Sequence, residues 1–492
     1  MRRLLLAAST DSRAREWRAP VEPPPRRGPS KEGRERLGLR ERGVALILSL
    51  VTILILTVVL ADMHQSTSMS YALADTQEDR LQAEYLARSG INLTRLLVAA
   101  EPQIRQAVAI PYAAWMGGRR PPQLPVWSFA NEVFRPFCDY ERAQAMRDST
   151  GIDFSGADGL GDIGGRCEIV SFSENSKLNL NTGLHLQGDQ AKANVALQFF
   201  TLTGGLQQPS PYDTLFERRD PDGQITSRLD IVAALVDWWD ADQQRTAFDP
   251  GTGAITNDAG GEDDIYQSFR DPYRVKNAPF DSLEELRYVR GIGDDFWATF
   301  VEPDPDDPTQ RAVTVYGSGK VNPNEAMPSV LFVRSCAILQ GATTFCTEAE
   351  RIKFITVLTM LRASPFGQIP WFENHNHWVE FLEGRGQLFT LLAGLFGESM
   401  FTPITIPAAQ KTQFRGALVF GAAIITVQST GLVGNCPSDE AVPEEDDEGG
   451  GIGRCTRVRI RSVLNFENRW TPPPPNAGAM PALGIFHHWR VD

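Results

Sequence analysis

The strongest hydrophobic pattern in the chain is a continuous apolar run close to its start. Residues 44–61 form a stretch of 18 residues without charge, in which Ser49, Thr52 and Thr57 are the only polar side chains. Hydroxyl groups can hydrogen-bond to carbonyls one turn earlier in a helix, so these three side chains are compatible with a lipid environment. About 20 apolar residues cross a bilayer as a helix. The pattern therefore predicts a transmembrane helix over residues 44–66.

Beyond this run the hydrophobic positions become one-sided. From Thr76 to Leu97, apolar side chains recur mostly at three- and four-residue steps, with charged residues between them. This spacing predicts an amphipathic helix that enters a globular head. Gly90 costs such a helix about 1 kcal/mol relative to Ala, and Pro102 marks its predicted end. The apolar stripe consists of Leu81, Tyr85, Leu86, Leu93, Leu96 and Leu97.

The distribution of charge orients the predicted anchor. Residues 1–43 contain 12 Lys or Arg residues against 6 Asp or Glu residues, and such basic flanks stay in the cytoplasm. The rest of the chain is then expected outside the cytoplasm. It is acidic, since the whole chain carries a net charge of −13, and this disfavours nucleic acid as a partner. Residues 1–33 are predicted to be disordered, and a start codon assigned too far upstream, with Leu37 or Leu39 as the true start, would also explain the long leader.

The junction between the basic leader and the apolar run carries a processing signal. A secretory signal places a small residue after its apolar core, whereas here Gly43 stands directly before it. This arrangement resembles the type III signal of type IV pilins and type II secretion pseudopilins. The resemblance implies that prepilin peptidase cuts after Gly43 and that the mature chain begins at Val44, N-methylated. A plain bitopic anchor is the alternative.

Two positions depart from the usual pattern of that family. Most members begin with Phe, where this chain has Val44, and most carry Glu at the fifth mature position, where this chain has Leu48. A carboxylate within the membrane is costly without a partner, so only a subunit with no neighbour ahead of it loses the Glu cheaply. The missing Glu is the pattern of the minor pseudopilin K family, the tip subunits.

The remaining pattern indicates an α+β protein. A strand is predicted from Arg166 to Phe172, and a pair of strands at 416–430 and 456–466, where apolar positions alternate. The motifs Lys177–Asn181 and Val321–Ala326 resemble those that flank the helical insertion of the K family. The expected fold has an N-terminal transmembrane helix continuing as a pilin spine, and a pilin-like antiparallel sheet interrupted by a helical SAM-like insertion. The predicted regions are the leader 1–43, the transmembrane helix 44–66, the spine and first part of the head 67–181, the insertion 182–322, the remaining helices and sheet 323–470, and a Pro-rich tail 471–492.

Two acidic clusters lie within the predicted insertion. One follows a helical pattern that begins at Leu229, and negative charge at the C-terminal end of a helix opposes the helix dipole. The other lies in a Gly-rich stretch that we predict to be a surface loop. Hard cations such as Ca²⁺ bind 6–8 oxygens, although the spacing does not fit an EF-hand and a solvated acidic loop is the alternative. The resemblance to the K family favours structural calcium, with Asp237, Asp240, Asp242, Glu262, Asp263 and Asp264 as the ligand pool.

Six cysteines all lie on the predicted outward side of the membrane. An even number of cysteines in an oxidising compartment suggests disulfides, although six allow 15 connectivities. Pairing between neighbours in sequence closes short loops, and no Cys-x-x-Cys spacing indicates a zinc or redox site. Buried free thiols are the alternative. The predicted pairs are Cys138 with Cys167, Cys336 with Cys346, and Cys436 with Cys455.

Other motifs do not point to catalysis. The segment Phe280–Trp297, with Gly291-Ile-Gly293, resembles a helix-hairpin-helix, which often grips DNA phosphates, but Asp294 and Asp295 would repel a phosphate. We therefore interpret it as a packing device. The pair His375 and His377 is interpreted as surface or core histidines, and no phosphate-binding loop or nucleophile elbow is present. The chain is not expected to be an enzyme.

Taken together, the resemblance predicts a minor pseudopilin of the K type at the tip of the type II secretion pseudopilus. It implies a single-pass protein of the bacterial inner membrane with its bulk in the periplasm. The implied partners are minor pseudopilins of the I, J and H types, the major pseudopilin and prepilin peptidase. A minor pilin of a type IV pilus is the nearest alternative, and a membrane-anchored enzyme or periplasmic binding protein is the third.

Overall fold

The computed structural model describes most of the chain. The described residues are 38–115, 117–138, 165–182, 188–207, 209–216, 225–305, 307–339, 344–364, 370–397, 400–434, 436, 455–467 and 483–492. The chain divides into two units, Met1–Asp75 and Thr76–Asp492. The predicted leader lies outside the described residues up to position 37.

The predicted apolar helix is present in the first unit. Ser49 Oγ and Thr57 Oγ1 each donate a hydrogen bond of 2.8 Å to the carbonyl three residues earlier, and Thr52 Oγ1 donates to Leu48 O at 2.9 Å. The apolar side chains from Val44 to Leu60 are exposed. By length and composition the helix can cross a membrane, since its most apolar window has a mean hydropathy of 3.0.

The described helices account for most of the ordered structure. They are α1 (Gly38–Trp115), α2 (Ala130–Cys138), α3 (Asp189–Leu202), α4 (Asp213–Phe216), α5 (Arg228–Trp239), α6 (Asp263–Tyr266), α7 (Asp294–Phe296), α8 (Pro328–Leu339), α9 (Glu348–Ala363), α10 (His375–Leu382), α11 (Gln387–Phe396) and α12 (Ala408–Ala417). Single 3-10 or π turns lie at Val126–Phe129, Glu174–Ser176, Leu283–Tyr288, Trp297–Val301, Pro308–Gln310 and Thr344–Cys346.

The predicted end of the first helix at Pro102 is wrong, because α1 continues to Trp115 and contains both Pro102 and Pro111. A proline inside a helix removes one hydrogen bond and clashes with the preceding turn. Packing in the second unit offsets this loss. Val98 and Glu101 are buried, and the Glu101 carboxylate accepts a hydrogen bond of 3.0 Å from Leu124 N. After the proline, Tyr112 Oη donates a hydrogen bond of 2.8 Å to Pro370 O, so tertiary contacts hold the helix on both sides of Pro102.

The described strands form three sheets. They are β1 (Arg166–Ser173), β2 (Leu178–Asn179), β3 (Gln244–Asp249), β4 (Ala254–Gly261), β5 (Val313–Thr314), β6 (Ile424–Gly434), β7 (Cys455–Asn465) and β8 (Ile485–Val491). The largest sheet is antiparallel in the order β1-β6-β7-β8. Its buried face packs on α1, which contributes Leu86, Ile91 and neighbouring small residues to one hydrophobic core. The α+β prediction with an N-terminal helical spine is confirmed.

The last strand corrects the predicted Pro-rich tail. Residues 471–482 lie outside the described residues, but β8 pairs antiparallel with β7, with Ser462 opposite Trp489 and Ile460 opposite Val491. The alternation of apolar residues in Ile485–Val491 is a strand signal that the preceding prolines obscured. The hydrophobic pattern also gave no prediction of the helix α2.

The insertion separates two neighbouring strands of the main sheet. The chain leaves the sheet after Ser173 and returns at Ile424. A second hydrophobic core contains described residues from Leu178 to Leu418 and includes side chains of α3, α5, α8 and α9. The predicted boundary at residue 322 is therefore not a boundary of the core.

Two asparagines, one just before the first flanking motif and one at its end, hold the insertion in place. Asn175 Oδ1 accepts hydrogen bonds from Ala423 N at 2.9 Å and Ile424 N at 3.1 Å. Asn181 Nδ2 donates to Phe280 O and Val315 O, both at 2.9 Å, and its Oδ1 accepts from Phe280 N at 2.7 Å. Each amide thus satisfies backbone groups far away in sequence, as buried backbone requires.

Two of the three predicted disulfides are present among the described residues. Cys336 is bonded to Cys346 within the insertion, and Cys436 to Cys455 across the ends of β6 and β7. Cys167 is also disulfide-bonded. The side chain of its predicted partner, Cys138, lies outside the described residues.

Candidate cation site

The site is built at the C-terminal end of α5. This helix starts with a capping box, in which Ser227 and Asp230 bond to each other's backbone N–H groups. Its apolar side chains are buried in the core of the insertion, and this places Asp237 on the last turn and Asp240 directly after it. Two carboxylates at this end oppose the helix dipole, so the arrangement requires compensating positive charge.

A β-hairpin brings the third carboxylate to the site. The Gly-rich stretch that we predicted to be a surface loop forms β3 and β4, which pair antiparallel, with Phe248 opposite Ile255. Glu262 follows β4 and returns to the end of α5. The prediction of a loop was wrong because the hairpin buries Thr246 and Phe248 against the α5 side of the core, a tertiary contact that the glycines and acids do not reveal.

The three carboxylates lie close together and are almost fully buried. Ligand oxygens of Asp237, Asp240 and Glu262 all lie within 4.8 Å of one another. Each residue is 4% exposed. Asp237 Oδ1 accepts a hydrogen bond of 2.9 Å from Thr246 N. Both carboxylate oxygens of Glu262 are buried, and among the residues that the structure describes no donor group bonds to either of them.

The electrostatics of the cluster favour either protonation or a bound cation. Burial, reinforced by the charges of Asp240 and Asp237, raises the pKa of Glu262 to about 8. Burial also raises the pKa of Asp237 to about 6, and the pKa of Asp240 is raised for the same reason. Carboxylates that share a site cannot all ionise cheaply without positive charge. The residues fit a hard cation that binds oxygen.

The other three predicted ligands do not join this cluster. Asp242, whose side chain is 46% exposed, accepts a hydrogen bond from Gln244 N at 2.9 Å. Asp263 Oδ1 accepts from Val275 N at 2.9 Å, and Asp264 Oδ2 from Gly261 N at 2.8 Å. In the described structure these carboxylates stabilise turns around the site.

Sequence reasoning missed one residue of the site. Lys192 on α3 places its Nζ 2.6 Å from Asp240 Oδ2 and 2.6 Å from Asp242 Oδ2. Burial of the ammonium alone would lower its pKa, but the contacts with Asp240 and Asp242 outweigh this effect and raise the pKa of Lys192 above its ordinary value. A lysine 48 positions before Asp240 in the chain has no sequence signal that links it to the cluster. Beside the cluster lies a cavity of about 460 Å³, lined by Asp237, Glu262 and residues that include Arg245 and Arg290.

The hairpin with two glycines packs against the same helix. Gly291 has a φ of +82°, and a Cβ there would lie 2.6 Å from Ile231 Cγ1 on α5. Ile292 is buried in the core of the insertion, and Asp294 forms an ion pair with Arg287. These contacts agree with the interpretation as a packing device.

The two histidines that we interpreted as surface or core residues accept hydrogen bonds from neighbouring groups. His375 Nε2 accepts a hydrogen bond from Arg415 Nε at 3.3 Å, and His377 Nδ1 accepts from Glu373 N at 3.4 Å. Burial lowers the pKa of both imidazoles. Neither residue lies in the carboxylate cluster.

Together, these features define a class of protein. It is an α+β protein with one long apolar N-terminal helix, an antiparallel sheet, and a helical insertion that carries a buried carboxylate cluster. Residues 176–300 match the family model described as "Type II secretion system (T2SS), protein K". This part of the chain is therefore similar to protein K of type II secretion systems, and all three clustered carboxylates lie within the matched residues. The predicted resemblance to the K family is confirmed.

Two individual proteins are similar to parts of this chain. Type II secretion system protein K of Pectobacterium carotovorum subsp. carotovorum is 37% identical over 76 residues, which are 15% of this chain. The match spans about a fifth of the length of that relative, 20%. The crystal structure of the GspK-GspI-GspJ complex from the enterotoxigenic Escherichia coli type 2 secretion system matches 79% of this chain and 99% of the compared chain, with 14% identity and a TM-score of 0.35.

Proposed function

We propose that the protein is a minor pseudopilin that stands at the tip of a type II secretion pseudopilus. It nucleates assembly of the pseudopilus and aids export of folded proteins across the outer membrane. The observation that carries this proposal is the match of residues 176–300 to protein K. The long apolar helix and the Gly43 junction support it, because an anchor of this kind allows a subunit to enter a filament from the inner membrane.

The proposed mechanism is mechanical. Prepilin peptidase removes the leader after Gly43, and the N-methylated helix beginning at Val44 remains in the inner membrane with the head in the periplasm. Leu48 replaces the usual Glu, which is costly in a membrane unless a neighbour compensates its charge. A subunit with nothing ahead of it loses no such contact. The bulk of the insertion prevents the addition of a further subunit above the tip.

The proposed partners are the minor pseudopilins of the I, J and H types, together with the major pseudopilin. The complex named above joins GspK to GspI and GspJ, which supports the first two as partners here. A test is to purify the tagged full-length protein from native membranes after mild crosslinking and to identify its partners by mass spectrometry. Recovery of I- and J-type pseudopilins is the expected result.

The alternatives make different predictions in the same experiment. Recovery of type IV pilus subunits in place of pseudopilins would make the protein a minor pilin. A protein recovered uncut and without either set would be a bitopic anchored binding protein, and the tip proposal would be wrong. Deletion of the gene should abolish export of folded substrates only if the partners are I- and J-type pseudopilins.

We also propose that Asp237, Asp240 and Glu262 hold a structural Ca²⁺ ion. The two buried oxygens of Glu262, to which no described donor bonds, support the proposal. The remaining acids of the predicted pool surround the site, and ordered water supplies further ligands. Bound Ca²⁺ would fasten the hairpin to the end of α5.

Equilibrium dialysis of the full-length protein tests this site. We expect bound Ca²⁺ and a thermal midpoint that rises with Ca²⁺, since a ligand at 100 times its Kd stabilises the folded state by about 2.7 kcal/mol. Glu262→Gln and Asp240→Asn should lose the binding. Asp281→Asn is the control, because the Asp281 side chain is 87% exposed and pairs with Lys276 instead. Absence of bound Ca²⁺ in the parent protein would refute the site.

A further inference from the structure

Lys192 reaches the carboxylate cluster from a different helix. Its side chain is 12% exposed, and its ammonium group lies 2.6 Å from one oxygen of Asp240 and 2.6 Å from one oxygen of Asp242. Lys192 lies near the start of α3, whereas the two aspartates follow α5. The ammonium therefore links α3 to the segment that leaves α5.

The charge around the cluster gives this contact its importance. Among the described residues, Lys192 is the one cationic side chain in ion-pair contact with Asp237, Asp240 or Glu262. Arg245 lines the adjacent cavity but pairs with Asp258. Among the described residues, the ion pair to the cluster therefore comes from Lys192.

The position of the ammonium conflicts with a metal ion. A divalent cation bound to Asp240 would approach the same carboxylate that the ammonium contacts. Two cations this close repel each other strongly in a poorly solvated site. The ammonium can remain paired with its second partner, Asp242, whose side chain is 46% exposed and lies outside the cluster.

We propose that Lys192 is a tethered counter-cation, which neutralises the cluster in the absence of metal and is displaced from Asp240 when a divalent cation binds. The proposal rests on the cation site proposed above. Lys192 would then have two effects of opposite sign. It stabilises the metal-free protein, and it lowers the affinity for the metal by competing for Asp240.

Calcium titration of full-length Lys192→Met separates these effects, because Met keeps an apolar stem of similar length without the charge. Calorimetry with Ca²⁺ alone as the ligand should show a Kd at least about tenfold lower than that of the parent protein. The thermal midpoint in EDTA should fall, while the midpoint in saturating Ca²⁺ should change little. Lys192→Gln provides a second uncharged variant if the Met variant does not fold.

Lys276→Met is the matched control. Lys276 also pairs with two carboxylates, those of Asp281 and Glu285, each at 2.8 Å, but neither belongs to the cluster. This variant should lower the midpoint equally with and without Ca²⁺ and leave the Kd unchanged.

The outcomes distinguish this inference from the site on which it rests. If neither the parent nor either Lys192 variant binds Ca²⁺, the cation site itself is wrong. If the parent binds Ca²⁺ and the Lys192 variants bind it equally well or more weakly, the site stands and the role of Lys192 is overturned. Tighter binding by the variants than by the parent supports the displacement.

Discussion

Gly431 on β6 sets how closely α1 approaches the main sheet. A Cβ at this position would lie 1.9 Å from Ala83 O and 2.7 Å from Ala83 C, both backbone atoms of α1. Gly90 on the helix faces the same sheet, where a Cβ would lie 2.3 Å from Ser429 Oγ. Gly90 would destabilise an isolated helix, but its lack of a side chain allows α1 to pack closely on the sheet.

Gly431→Ala should destabilise the head. The helix backbone cannot yield as a side chain can, so we expect a loss of roughly 2–3 kcal/mol in the free energy of unfolding. Gly416→Ala on α12 is the control, because no atom lies within 4 Å of its Cβ position, and Ala should stabilise that helix by up to about 1 kcal/mol. Denaturant unfolding of both variants measures the difference. Equal effects would mean that α1 does not contact β6 this closely.

Glu325 makes stability depend on pH. Burial raises its pKa to about 7, against the opposing effect of nearby Arg362. A raised folded-state pKa means that the native state favours the protonated acid. Stability is then greatest below the unfolded pKa of about 4.3 and falls as pH rises towards 7.

Glu325→Gln should remove that part of the pH dependence. At pH 8 the variant should be more stable than the parent by on the order of 3 kcal/mol, whereas at pH 4.5 the two should be equal. Urea unfolding at both pH values, with EDTA present, provides the measurement. A variant that is less stable at pH 8 would instead indicate that an ionised Glu325–Arg362 pair stabilises the fold.

At the scale of elements, asparagine side chains connect segments that hydrophobic contact alone would not align. Asn179 Nδ2 donates to Tyr316 O at 2.7 Å and Gly317 O at 2.9 Å, next to the parallel pair of β2 and β5. Asn324 Nδ2 donates to Phe372 O at 2.8 Å and its Oδ1 accepts from Phe372 N at 2.9 Å. These bonds join the entry of the insertion and the segment around Asn324 to loops far along the chain.

Asn181→Ala should therefore weaken the insertion strongly. It leaves Phe280 N, Phe280 O and Val315 O without their partner, and buried unsatisfied groups cost about 1–3 kcal/mol each when water cannot replace the bond. We expect a loss of roughly 2–4 kcal/mol, measured by chemical denaturation. The control Asn376→Ala lies at an exposed position of α10 and should change stability by less than about 0.5 kcal/mol.

At the scale of the whole molecule, the proposed role depends on processing and on the fifth mature residue. Gly43→Val should block prepilin peptidase and leave the precursor intact, which intact-mass measurement of the membrane-extracted protein detects. Gly38→Val, a substitution within the leader and away from the junction, should leave cleavage unchanged. Normal cleavage of the Gly43 variant would show that the signal lies elsewhere.

Leu48→Glu tests the tip position separately. A carboxylate at this depth requires a partner, so the variant should incorporate poorly at the tip or move to another position in the filament. Crosslinking to the I- and J-type subunits measures this. Unchanged incorporation would mean that Leu48 does not mark a tip subunit.

The sequence by itself determined the features that depend on neighbours in the chain. The apolar run of residues 44–61, the helix over Arg228–Trp239 and the alternation in β6 and β7 follow from local periodicity, and Cys336–Cys346 and Cys436–Cys455 close short loops. In each case the residues that produce the structure lie within one or two elements.

Only the tertiary structure decided the features that depend on distant contacts. The continuation of α1 through Pro102 is supported by tertiary contacts such as the hydrogen bond from Leu124 N to the Glu101 carboxylate. The carboxylate cluster forms because the β3–β4 hairpin brings Glu262 to the end of α5. Lys192 joins the cluster from another helix. Local propensity carries no information on these contacts, because the packing of distant segments into a shared core brings the charged groups together. Sequence spacing does not.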